Sequence, residues 1–109
     1  MFRDGRAVAL IDWDDAQPGS RLFDLGHATW CFAEVGPGGG PVEHQAARTR
    51  AFCDAYGWDD PAAVVAEIER YHRSAQARHE AAGRLRAAEI FAEEVAWIAE
   101  HGPRITASL

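Results

Sequence analysis

The sequence contains no lysine and no asparagine; its eleven basic residues are all arginine. Without lysine the chain cannot carry a P-loop, whose lysine reaches the nucleotide phosphates. It has only two cysteines, Cys31 and Cys53, too far apart for a metal-binding pair. They are expected to be buried structural thiols, since a disulfide is unfavoured in a reducing compartment. No apolar run is long enough to span a bilayer, and the start lacks the basic-then-apolar order of a signal peptide. A cytoplasmic protein with no membrane partner is expected. Basic residues are outnumbered by seventeen acids, for a formal net charge of −6. That balance argues against nucleic acid and anionic membranes, which call for a basic patch, and suits a cationic substrate.

What is present reads as one domain without internal repeats or linkers. With 109 residues, 48% of them hydrophobic, the chain can bury a single core. Asp4-Gly5 between the apolar Met1-Phe2 and Ala7–Ile11 is a hairpin signal. Ala7–Ile11 is apolar throughout, as expected of a strand buried on both faces. Pro18-Gly19-Ser20 is a turn. A helix over about 22–35 follows, with Leu22, Leu25, Ala28, Thr29 and Phe32 near one face. Gly36–Pro41 is expected to be a flexible loop rather than a phosphate cradle, because it does not join a strand to a helix.

A second helix over about 42–56 is capped by Gly57. Asp60-Pro61 reads as N-cap and first residue of a third helix, which runs to about Ala82. Val64, Val65, Ile68, Tyr71, His72 and Ala75 form its apolar stripe. After Gly83, a fourth helix over about 84–101 uses Leu85, Ala88, Phe91, Val95 and Ile98, and Gly102-Pro103 is expected to stop it. The fold class is therefore mainly α with a small N-terminal β-hairpin. His72 and His79 can share a helix face, but two imidazoles without a third ligand do not make a zinc site. The histidines read as core or surface residues, and Trp30, Trp58 and Trp97 as packing residues.

The chemistry concentrates in Ile11-Asp12-Trp13-Asp14, followed by Ala16, Pro18-Gly19 and Asp24-Leu25. An acid at the end of an apolar strand calls for a partner, since an unpaired buried carboxylate is costly. A hard cation such as Mg²⁺ takes carboxylate and phosphate oxygens. A solvated acidic turn is the plain alternative.

The longer pattern, Ile-Asp-Trp-Asp-x-Ala-x-Pro-Gly-x-x-x-x-Asp-Leu, resembles the metal-binding segment of the aminoglycoside phosphotransferase family, which has a protein-kinase-like fold. The likeness spans about residues 7–30. It implies that the chain is part of the C-terminal lobe of such a fold: residues 1–20 the hairpin and metal-binding turn, residues 21–109 the helical lobe. It implies that Asp12 holds Mg²⁺ on the nucleotide phosphates, with Trp13 and Asp14 beside it as supporting or substrate-contacting residues. Asp24 would brace the catalytic loop by accepting backbone hydrogen bonds, an ordinary N-cap being the alternative. Trp30 and Glu34 are candidates for substrate contact. Mg²⁺ and ATP or GTP are the cofactors implied for an intact member rather than for these residues alone.

The lysine, catalytic aspartate and asparagine that phosphoryl transfer requires on this fold have no match here. The family's catalytic loop lies just before the hairpin, so Met1 is expected to be an internal methionine or the product of a split reading frame. Negligible kinase activity is expected of these residues, with measurable Mg-ATP turnover the contrary result. The intact enzyme would phosphorylate a small hydroxyl-bearing, cationic acceptor. A homo-oligomer is expected through apolar surface left exposed. A non-catalytic helical binding module is the second reading, and an Asp12-nucleophile phosphatase the third.

Overall fold

Asp4 and Gly5 reverse the chain with φ of 52° and 73°, the left-handed pair that a two-residue hairpin turn demands. They join β1 (Phe2–Arg3) to β2 (Arg6–Ala7), antiparallel, with Phe2 opposite Ala7 and Arg3 opposite Arg6. The computed structural model describes residues 2–9 and 18–109. The hairpin is as expected, but the buried strand is not. Ala7, Val8 and Ala9 are exposed, Val8 by 54%, and among the described residues neither strand contacts a helix. An apolar strand is buried only where something covers it, and no described element does. The rest of that run, 10–11, lies outside the described residues.

The remainder is helical: α1 (Arg21–Phe32), α2 (Val42–Tyr56), α3 (Pro61–Ala81) and α4 (Leu85–Ala107). Gly57 closes α2 at φ 80°. Asp60 accepts a hydrogen bond from the Ala63 amide at 3.0 Å with Pro61 at the first helical position, as the sequence implies. Gly83 separates α3 from α4, which make the most extensive contact in the molecule. Leu25, Val35, Val42, Ala46, Cys53, Val64, Val65, Ile68, Ile98 and Ile105 form the core.

Three expectations are corrected. α4 does not stop at Gly102-Pro103 but runs through them to Ala107. Pro103 deprives the Ala99 carbonyl of its helical donor, but Ala99 is exposed to solvent. Beyond it Ile105 is fully buried and Arg104 pairs with Glu43 of α2, which holds the last turn down. Phe32 is 77% exposed, because Ala33 and Val35 occupy the core positions just after α1. Leu85, the first residue of α4, is 67% exposed. Among the described residues, no helix is long and apolar enough to cross a membrane.

Candidate functional site

Asp12, Trp13 and Asp14 lie outside the described residues. The structure takes up the site from Ser20, whose hydroxyl caps α1 by accepting from the Phe23 amide at 3.0 Å. Ser20 therefore holds the N-cap role considered for Asp24. Asp24 sits in the first turn with its side chain exposed, where a carboxylate complements the helix dipole. Among the described residues no donor reaches that carboxylate. Nor do any three His, Cys, Asp or Glu side chains there form a group able to hold a metal.

At the other end of α1 the chain builds a cleft. The Ala33 amide donates to the Thr29 carbonyl at 2.9 Å, and Glu34 leaves the helix at φ 53°. The glycine-rich segment then folds against α2 instead of flexing. Gln45, fully buried, accepts from the Gly36 amide at 3.0 Å and donates to the Gly36 and Gly40 carbonyls at 3.0 and 2.9 Å. Arg48 donates to the carbonyls of Ala33 at 2.8 Å and Gly39 at 2.7 Å. Its positive charge at the C-terminal end of α1 is favoured by the dipole. The loop amides of Gly36 and Gly39 are already bonded within the protein.

The resulting cavity, about 410 Å³, is lined by Trp30, Cys31, Glu34, the loop from Val35 to Gly39, and Glu94 of α4. The two substrate candidates named from sequence, Trp30 and Glu34, thus lie in one cleft. Glu94 was missed: on α4 alone it is one acid among several, and only the approach of the loop singles it out. Its Oε2 lies so near Gly36 that a Cβ there would come within 2.9 Å. Burial, and then the neighbouring Glu93, push its carboxyl above the ordinary range. Among the described residues neither Glu34 nor Glu94 is paired with an arginine. The buried Glu67, by contrast, is met by the Arg70 guanidinium at 2.8 Å. Two unpaired carboxylates beside an indole form a cation-accepting surface.

Cys31 is exposed in this cleft, contrary to the expectation that both thiols are buried; Cys53 is fully buried. Position 31 falls on the outward side of α1, next to Trp30. Behind the cleft, Trp30 joins an aromatic cluster with His27 and Tyr71, at centroid separations of 5.5 and 5.7 Å. His72 is at 4.7 Å and Phe91 at 6.3 Å. His72 and His79 do share a face, both lying against Phe91.

The model of the phosphotransferase enzyme family matches residues 1–64, more than half of the chain. The chain belongs to that family. The matched segment includes the Asp12 motif, Trp30, Glu34 and the whole glycine-rich loop, whereas Glu94 lies beyond it. Neither the curated proteins nor the solved structures contain a match.

Proposed function

We propose that these residues are the acceptor-side part of an ATP- and Mg²⁺-dependent small-molecule phosphotransferase, with a helical body of the protein-kinase-like C-lobe type. The observation that supports the reading is an acid-and-aromatic cleft at the C-terminal end of α1, lined largely by residues within the family-matched segment 1–64. Trp30, Glu34 and Glu94 receive a hydroxyl-bearing ligand through its ammonium groups. Asp12 holds the metal on the nucleotide phosphates, as it does in the family pattern. Mg²⁺ supplies charge neutralisation on the transferring phosphoryl group. Trp13 and Asp14 flank the metal ligand, and Asp24 braces the catalytic loop of an intact member.

These 109 residues lack the lysine and asparagine of the reaction, so binding rather than turnover is their measurable property. Mn²⁺ in place of Mg²⁺, added with ATP and followed by paramagnetic broadening of NMR signals, tests the metal assignment. Whatever broadening these residues alone show is expected to centre on the residues flanking Asp12 and to disappear in Asp12→Ala. Equal broadening in the variant, or broadening spread over the exposed acids of α3 and α4, contradicts it. The same cleft also suits the second reading, a non-catalytic module that binds a cation without nucleotide. Ligand binding that is independent of Mg²⁺ and unchanged in Asp12→Ala favours that reading.

A further inference from the structure

His72 is 0% exposed, yet among the described residues neither of its ring nitrogens has a hydrogen-bond partner. A neutral imidazole carries one donor and one acceptor, and buried polar groups ordinarily find partners. Its surroundings are rings. Trp30 of α1 is the closest, edge-on at 4.7 Å and 80°. Tyr71, beside it on α3, lies at 5.7 Å and Phe91 of α4 at 5.8 Å. Among the described residues the titratable groups around it are His27 of α1 and Tyr71 of α3. α4 presents Phe91, with His79 stacked on that ring at 5.4 Å. Burial, and then the charge of His27, push the His72 imidazole down to about 4.

We infer that His72 is a positioning residue for the cleft: its neutral imidazole, packed edge-on against the indole, holds Trp30 in the cleft wall, and protonating the ring releases it. Among the described residues a charged imidazole at this place has no counter-ion and no acceptor. It regains hydration only by moving outward, and the partly exposed Trp30 is the ring packed nearest to it, at 4.7 Å. A cation–π contact with the indole is too weak to replace the lost hydration. The functional meaning rests on the cleft being the acceptor site; the coupling between the two rings does not.

NMR of the full 109-residue chain, without ligand, from pH 7 to 3.5 tests this. The His72 imidazole C–H signals and the Trp30 indole N–H are expected to shift together, with a midpoint near 4. The Trp58 indole, which donates to the Asp60 carbonyl at 3.0 Å, is expected to stay still over that step. In His72→Phe and in the polar, non-titrating His72→Gln, Trp30 is expected to keep its pH 7 position throughout. An indole that ignores the titration of His72, a transition that survives in both variants, or simultaneous movement of Trp30 and Trp58 through global unfolding would overturn the inference. A cleft that bound no acceptor would leave the coupling intact, so the two failures are distinguishable.

Discussion

Replacing Gly39 with alanine is expected to destabilise the protein by about 3 kcal/mol, the upper end of ordinary point substitutions. A Cβ at this position would stand 1.8 Å from the Glu34 carbonyl oxygen and 2.8 Å from the Gln45 carboxamide. The first of these is backbone and cannot swing aside. The loop must therefore move off α2, and the Gln45 amide loses bonds it cannot replace when buried. For a domain of this size the loss lowers the thermal midpoint by roughly 12–20 °C, measurable by circular dichroism. Gly38→Ala is the control: its Cβ would meet nothing within 4 Å, and removing a glycine from the unfolded chain is neutral to slightly stabilising. Equal midpoints for the two variants would show that the loop does not hold the cleft.

The second large effect is on acid stability. Above about pH 6.5 the His72 ring is neutral in both folded and unfolded chains, so its contribution is constant. Below that, the unfolded chain takes up a proton that the folded chain refuses until about pH 4. Stability is therefore lost as pH falls through this window and levels off beneath it. The depressed value corresponds to a loss on the order of 3 kcal/mol, a large part of the total for a small domain. Denaturant titrations at pH 7, 5.5 and 4, for wild type and His72→Phe, isolate it from the carboxylates common to both. The variant is expected to have the flatter profile; parallel profiles would assign the acid sensitivity elsewhere.

Much of the helical architecture was legible because its signals are local. Asp60-Pro61, Gly57 and the period of Val64, Val65, Ile68, His72 and Ala75 determine where α2 and α3 meet and which face is buried. The exceptions are places where a distant contact outweighs a local rule. Gly102-Pro103 reads as a stop, but Ile105 in the core and the Arg104–Glu43 pair hold the helix beyond it. Gly36–Gly40 reads as mobile, but Gln45 and Arg48, one helix later, bind it. The same limit applies to the site. Trp30 and Glu34 were visible from their place on the helix after the acidic motif. Glu94 was not, because no local pattern marks one acid of α4 as the one the loop approaches. Phe2, Val8 and Phe32 are exposed, and no local pattern in the sequence distinguishes these apolar residues from those of the core.

The most direct test of the acceptor cleft is a titration of the 109-residue chain with 2-deoxystreptamine, a hydroxyl-rich diamine, followed by NMR chemical shifts. Shifts are expected at the Trp30 indole, Glu34, Gly36–Gly39 and Glu94. Affinity is expected to fall roughly tenfold or more in Glu94→Gln, the loss of one charge-assisted hydrogen bond. Shifts confined to other acidic surfaces, such as Glu69 and Glu80 of α3, or an affinity unchanged in Glu94→Gln, would contradict the cleft as the place where the acceptor binds.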